Sequence, residues 1–277
     1  MSSQDNMYVR DETLEEVIEW FRQFGKTDES YLSAHWNRYK RTLNFVMSDV
    51  SPNAKLDILD VGSHWLHNAF LYAARGHRLI CSDAPDLMGN RAVLAAAEYM
   101  KIKLRPMRRM EMGDSMQDLP ENSIDILLFC EIIEHMAFNP IPFWKQVYRV
   151  LRPGGRIIVT TPNSMYHRSI TKRLMNVVTG VGFGPTIKEI MENGTYGHHW
   201  KEFSIGELRE YFKLLSADFD LSRHEFVMHD FDVNAPLGAL ESNIAAVTDV
   251  RAHNIYLDVR LNEKSAGISI NPPWIPL

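Results

Sequence analysis

Cysteine is nearly missing from this chain. Cys81 and Cys130 are the two that 277 residues carry, each at the end of an apolar, strand-like run. A disulfide framework is thereby excluded as the organising principle, and two small buried thiols are expected. Long apolar runs are missing too: none approaches the ~20 residues that span a bilayer. The opening MSSQDNMYVRDETLEE is polar and acidic, without a basic-then-apolar leader, so a cytoplasmic protein with no membrane partner is the expectation. Positive charge is also scarce. Against 35 Asp and Glu stand 30 Lys and Arg, a formal net charge of −5, so no global field attracts nucleic acid or anionic lipid. The one basic stretch outside the later lid segment, Lys101–Arg109, reads as a solvated turn. Repeats and low-complexity segments are absent. What remains is an ordinary globular composition, 45% hydrophobic and 23% charged, at a length suited to one large domain or a domain with a small appendage.

What is present alternates. Asp11–Phe24 has Leu14, Val17, Ile18 and Phe21 at helical spacing behind an acidic first turn. A second helix is expected over Glu29–Asp49, with Tyr31, Leu32, Trp36, Tyr39, Leu43, Val46 and Met47 on or near one stripe, and Ser51-Pro52-Asn53 breaks the chain after it. Strand Leu56–Val61 then leads to helix Asn68–Arg75, strand Arg78–Ser82 to helix Asn90–Met100, and a short strand about Arg105–Met110 to Gly113-Asp114. Ile124–Cys130 is the strongest strand, almost wholly apolar as in a buried parallel sheet. Helix Pro142–Leu151 follows, with Pro153-Gly154-Gly155 as its stop before strand Arg156–Thr161. This rhythm predicts an α/β, doubly wound, mostly parallel sheet.

Regularity lapses over Pro162–Gly197, which holds a basic amphipathic piece (YHRSITKRLMNVVTG) and a glycine-rich turn (GVGFGP). A compact domain rarely keeps so long a structureless connection, so a functional lid is expected. Helix Ser204–Leu214, with Ser204 and Glu207 as a capping box, and strands Asp218–Met228 and Asn254–Val259 follow. A polar loop through Asn234 and Pro236 separates the two strands, and the tail NPPWIPL reads as a packed extended arm.

The chemistry starts at Leu56–Phe70, a strand ending in an acid, a glycine and a polar loop before a helix, which is how backbone N–H groups approach a nucleotide-like ligand. The ordered set LDVGS, CSDAP, GDSMQDLP, IDILLFCEIIEHM and VLRPGGRIIVTTPN resembles the class I S-adenosylmethionine-dependent methyltransferases over about Leu56–Leu221. The resemblance implies a seven-stranded Rossmann-like sheet and the cofactor S-adenosyl-L-methionine. It also implies a division into an N-terminal helical cap (1–52), a cofactor-binding core (53–161), a lid or substrate insertion (162–203) and the rest of the sheet with the tail (204–277). It places Asp60 near the methionine ammonium, Gly62 and Ser63 in the cofactor loop and Asp83 on the ribose hydroxyls. Asp114 would take the adenine amino group with Ser115 beside it, and Cys130 would lie at the end of the fourth strand. In one respect the chain departs from the family. Where the loop usually carries a second glycine, it reads Gly62-Ser63-His64, so either His64 faces solvent or substrate, or the loop is reshaped.

A second constellation is Glu131-Ile-Ile-Glu134-His135, joined after the lid by His198-His199-Trp200. It resembles metal-using methyltransferases of two kinds, the ubiquinone-pathway O-methyltransferases and the small-RNA 3′-terminal 2′-O-methyltransferases. The resemblance implies a divalent ion, Mg²⁺ or another, on Glu131, Glu134, His135 and His199. The same motif also occurs where no metal is implied, and there Glu131 lines the cofactor and His135 is the base; both readings stay open. Catalysis is expected from His135 and Glu131, on the oxygen of a small hydroxyl-bearing metabolite such as a sugar or natural-product intermediate, in a protein able to form a homodimer. RNA as acceptor is the rival, opposed by the net acidity. A third reading, a cofactor-binding protein that no longer catalyses, draws its main support from His64. The aromatics Tyr31, Trp36 and Tyr39 read either as core packing or as a cover for the cofactor.

Overall fold

The computed structural model describes residues 12–180, 184–194, 196–228 and 252–270. The tail NPPWIPL, the loop through Asn234 and Pro236 and the middle of GVGFGP (181–183) therefore lie outside the described residues. Among the described residues seven strands form one sheet: β1 (Asp57–Val61), β2 (Arg78–Asp83), β3 (Lys103–Pro106), β4 (Ile124–Cys130), β5 (Leu151–Pro162), β6 (Phe219–Val227) and β7 (Asn254–Leu261). Their order is β3-β2-β1-β4-β5-β7-β6. All pairs are parallel except those of β7, which runs antiparallel to both β5 and β6. The doubly wound, Rossmann-like sheet expected from the sequence is the one observed.

The order explains where a ligand can sit. The chain begins at β1, winds outward to β3, then returns to β4 on the other side of β1. That reversal opens a crevice outside the carboxyl ends of β1 and β4. Period-two alternation feeds two cores: Ile126 and Leu128 of β4 pack on one face, Leu127 and Phe129 on the other. On the first face lie α1 (Leu14–Arg22), α2 (Glu29–Met47), α3 (His67–Ala73), α4 (Pro85–Met88) and α5 (Arg91–Met100), and on the second α6 (Ile141–Val150). Asp60 alternates with Leu59 and Val61 and so belongs to the first face, beneath α2; it is 2% exposed.

The cap helices follow from local signals. Thr13 and Glu16 close a capping box on α1, Asp28 caps α2, and Gly25 separates the helices at φ +119°. α2 is bolted to the sheet at its C-terminal half. The Arg156 guanidinium donates to the Asp258 carboxylate, at 2.7 Å for the shortest bond, and to the Val46 carbonyl at 2.9 Å, and Arg41 meets Glu225 at 2.5 Å.

Several elements differ from expectation. β5 starts at Leu151 and runs through Pro153-Gly154-Gly155, because Leu151 pairs with Ile124 before a register shift resumes the ladder at Arg156. β3 ends at Pro106, since Met110–Met112 turns into a 3₁₀ segment. The supposedly structureless stretch after β5 contains two helices, α7 (His167–Val178) and α8 (Ile187–Glu192). It leaves and re-enters the sheet end at one place, the Asn163–Phe203 bridge. α9 (Ile205–Leu215) carries the expected Ser204–Glu207 capping box and packs on the second face. Cys81 and Cys130 are free thiols, and among the described residues no helix is long and apolar enough to cross a membrane.

Candidate active site

A cavity of about 250 Å³ opens at the switch point, walled by the ends of β1, β2 and β4 and roofed by α2. Of the residues expected to hold a cofactor, Asp60, Gly62, Ser63, Asp83 and Cys130 line it. Asp114 and Ser115 do not. Both stand in the neighbouring 3₁₀ turn, where Asp114 Oδ2 accepts the Arg108 and Arg109 N–H groups at 3.2 Å each while Oδ1 has no hydrogen-bond partner. Met107 and Met110, which precede that turn in sequence, line the cavity.

The loop after β1 settles the missing glycine. Gly62 has φ +78°, and a Cβ there would meet Ile132 Cδ1 at 2.1 Å, so the position requires glycine. His64 adopts φ +49°, a left-handed conformation that glycine reaches at no cost and a side chain reaches at about 1 kcal/mol. The turn is therefore kept, not reshaped. Asp83 holds it: Oδ2 accepts the His64 N–H at 2.7 Å and Oδ1 the Ala84 N–H at 2.6 Å. The His64 ring lies 4.4 Å from that of Tyr31, which makes it part of the cavity wall. Tyr31 and Tyr39 also line the cavity, whereas Trp36 packs in the core.

Several of these walls are polar and unsatisfied. Asp60 Oδ2, His64 Nδ1 and Asn68 Oδ1 are buried without hydrogen-bond partners, the condition of a site built for a polar ligand. Burial, helped by the Asp83 charge, pushes the Asp60 carboxyl up to about 7. An ammonium placed beside it would restore the carboxylate. Arg38 is the one Lys or Arg side chain among the described lining residues, and with it the wall offers complementary charges for a zwitterion.

Sequence reasoning missed Arg38 because no motif flags one arginine on an amphipathic helix. It also missed what surrounds Glu131. This residue follows β4 at φ +56°. Its Oε1 accepts from Thr160 Oγ1 and Asn254 Nδ2, each at 2.8 Å, and its Oε2 lies 3.4 Å from Arg38 Nη1. The partners come from α2, β5 and β7, segments that only the fold brings together.

A second cluster follows Glu131 in the chain. Ligand atoms of Glu134, His135 and His199 fall within 4.8 Å of one another. Glu131, expected as a fourth member, does not join them. Glu134 is fully buried; Thr161 Oγ1 donates to its Oε2 at 2.9 Å and Oε1 has no hydrogen-bond partner. Burial first, then the Glu131 charge, raises its pKa far above the ordinary range. His135 Nδ1 faces the His198 carbonyl oxygen at 2.9 Å, so Nδ1 carries the proton and Nε2 the lone pair. Burial, and then His199, lowers the His135 pKa and keeps the ring neutral near pH 7. The chain after α8 returns here: the Trp200 N–H donates to the Glu134 carbonyl at 2.8 Å. His135 and Tyr196 both line the cavity.

Comparison with known proteins agrees with this geometry. Residues 59–159 match the family described as "Methyltransferase domain". Over those residues the chain is similar to methyltransferase domains. A Mycolicibacterium smegmatis protein bearing the name S-adenosylmethionine-dependent methyltransferase is 30% identical over 107 residues, 39% of this chain and 38% of that one. The mitochondrial ubiquinone biosynthesis O-methyltransferase of Rattus norvegicus is 32% identical over 96 residues, 34% of this chain and 25% of that one. The matched segments thus span well under half of either relative. Among solved structures, a chain of the complex between the Haloferax volcanii Trm112 methyltransferase activator and its methyltransferase superposes with TM-score 0.59 at 14% identity, covering 92% of this chain and 99% of that one. Haemonchus contortus phosphoethanolamine N-methyltransferase 2, in complex with S-adenosyl-L-methionine, superposes with TM-score 0.52 at 14% identity over 95% of this chain and 60% of that one. At such identity these likenesses concern the fold.

Proposed function

We propose that the protein transfers a methyl group from S-adenosylmethionine to an oxygen of a small, hydroxyl-bearing metabolite, such as a sugar or natural-product intermediate. One observation carries the reading: a single cavity is lined by Asp60 and Asn68, each with an unsatisfied oxygen, by Asp83 and by the His135 imidazole. Asp60 would take the donor's ammonium, Arg38 its carboxylate, and Asp83, which keeps lone pairs beyond the two N–H bonds, its ribose hydroxyls. The donor supplies an electrophilic methyl; the chain supplies position, desolvation and a base.

His135 Nε2 is the proton acceptor for the incoming hydroxyl. Its other nitrogen is pinned by the His198 carbonyl, so the ring cannot turn its lone pair away. As an alternative to His135 acting as base, Glu134, His135 and His199 form a donor set of the kind that holds a divalent ion, and the unpartnered Glu134 Oε1 fits that use. Bound there, an ion would orient the acceptor oxygen and lower its pKa. Glu131 then acts by clasping Arg38, not as a base. The non-catalytic reading loses its main support, since His64 preserves the loop.

The test is calorimetry with S-adenosylmethionine followed by incubation with hydroxylated metabolites and isotopically labelled donor. Saturable binding and label on an acceptor oxygen are expected; label appearing only on nitrogen or carbon would overturn the O-methylation. RNA remains the second reading because the Glu134–His135–His199 cluster suits vicinal hydroxyls; a short single-stranded RNA that fails to shift at low salt removes it.

A further inference from the structure

His64 stands where the family resemblance implies a second glycine, and it keeps the left-handed backbone, φ +49°, that glycine would adopt without strain. Its backbone N–H is occupied, donating to Asp83 Oδ2 at 2.7 Å. Its side chain meets the roof of the cavity: the imidazole centroid lies 4.4 Å from that of the Tyr31 ring, at an interplanar angle of 52°. On α2 itself the His35 ring, one helical turn on, lies 4.1 Å from Tyr31. Tyr31 thus has imidazole neighbours from two separate elements, the loop after β1 and its own helix.

Tyr31 in turn directs a charge. Its hydroxyl accepts from Arg38 Nη2 at 3.3 Å, while Arg38 Nη1 lies 3.4 Å from Glu131 Oε2. The Arg38 side chain is 13% exposed, so a guanidinium with little water about it depends on these protein partners for its direction. Asp83, His64, Tyr31, Arg38 and Glu131 all line the same cavity. They make a connected run of contacts, from the acid assigned to the ribose to the arginine assigned to the methionine carboxylate. With glycine at position 64 the run would stop at the loop, since backbone alone offers Tyr31 no ring to pack against.

We propose that His64 is a positioning residue for the amino-acid end of the donor: its ring seats Tyr31, and Tyr31 fixes the Arg38 guanidinium where the carboxylate arrives. The proposal rests on the donor reading given above and adds what that reading lacks, a reason for a side chain at the glycine position. It also makes the N-terminal cap a wall of the donor site, because Tyr31 and Arg38 both come from α2.

Two ligands separate the ends of the donor. S-adenosylhomocysteine carries the amino-acid part with its carboxylate; 5′-methylthioadenosine shares the nucleoside and lacks that part. Both are titrated by calorimetry into full-length wild type and variants, and 5′-methylthioadenosine reports on the fold and the nucleoside end. His64→Gly should weaken S-adenosylhomocysteine by about 5- to 20-fold, the loss of one aromatic pair and of the charge it orients, and leave 5′-methylthioadenosine within about twofold. Tyr31→Leu should lower S-adenosylhomocysteine affinity similarly, while His64→Phe, which keeps a ring, should retain most of it. In an Arg38→Ala background, itself weakened, His64→Gly should cost nothing further. Equal loss of both ligands in His64→Gly, an undiminished S-adenosylhomocysteine affinity, or His64→Gly and Arg38→Ala effects that simply multiply would overturn the proposal. So would His64→Phe binding as weakly as His64→Gly. A wild type that binds neither ligand would strike the donor reading itself.

Discussion

The two ends of the cavity are made differently. At the donor end, Asp60, Gly62 and Asp83 stand at the tips of adjacent parallel strands, whose pairing runs from Asp57↔Arg78 to Val61↔Ser82 without a shift. The strands also pass backbone bonds to the loop, as when the Gly62 N–H donates to the Ser82 carbonyl at 2.8 Å. At the acceptor end, His135 and His199 meet only because a lid of some forty residues, tied down at the Asn163–Phe203 bridge, returns to Glu134. That lid keeps large apolar side chains in water: Val178 is 80% exposed and Leu174 62%. On the proposed reading, rigid backbone would fix the donor and the long excursion would handle the acceptor.

The largest effects should fall on the donor end. Asp83→Ala removes both the anchor of the His64 turn and the ribose acceptor, and S-adenosylhomocysteine affinity should drop by more than about 100-fold. His135→Ala should leave that affinity unchanged and lower kcat by about 10²- to 10⁴-fold, a separation that titration and turnover read independently. If donor affinity fell with it, the division between the two ends would be wrong.

Asp60 gives an opposite pair of effects. Its pKa stands near 7 in the ligand-free fold, above the ordinary 3.8. Its stability contribution is therefore fully present below about pH 4 and is lost as pH rises through 7. Asp60→Asn should raise the stability of ligand-free protein at pH 8 by up to about 4 kcal/mol and little at pH 4, while weakening donor binding at both. Equal melting-temperature shifts at the two pH values would deny the elevated pKa.

Gly62→Ala collides with Ile132 at a left-handed φ and should cost about 1–3 kcal/mol; adding Ile132→Ala should recover the steric part only. Least of all, Leu174→Gln on the lid should change unfolding free energy by less than about 0.5 kcal/mol, whereas Leu128→Ala in the sheet costs about 2–5 kcal/mol. A large effect at Leu174 would show that the lid packs against something.

The same contrast decides what could be read in advance. β4 was legible to the residue, because a near-continuous apolar run has no other home than a doubly covered strand. The placement of Asp60, Gly62 and Asp83 at strand ends on the cavity wall was legible because their spacing follows strand length. Asp114 was named by motif position; one of its oxygens accepts from the Arg108 and Arg109 backbone and the other has no partner, an arrangement the motif does not encode. Arg38 and Asn254 were invisible. Each meets Glu131 from a segment distant in sequence, and neither composition nor periodicity encodes such a contact. Glu131 shows the hazard most clearly: its spacing to Glu134 and His135 fits a ligand set, but Thr160, Asn254 and Arg38 claim its oxygens first.

The central claim is that Leu59–Gly62 and Asp83 form a pocket for S-adenosylmethionine, and calorimetric titration of the full-length protein with S-adenosylhomocysteine tests it most directly. One site per chain, lost in Asp83→Ala and weakened in Arg38→Ala, is the predicted result. Absence of binding to the wild type, or unchanged binding to Asp83→Ala, would contradict it.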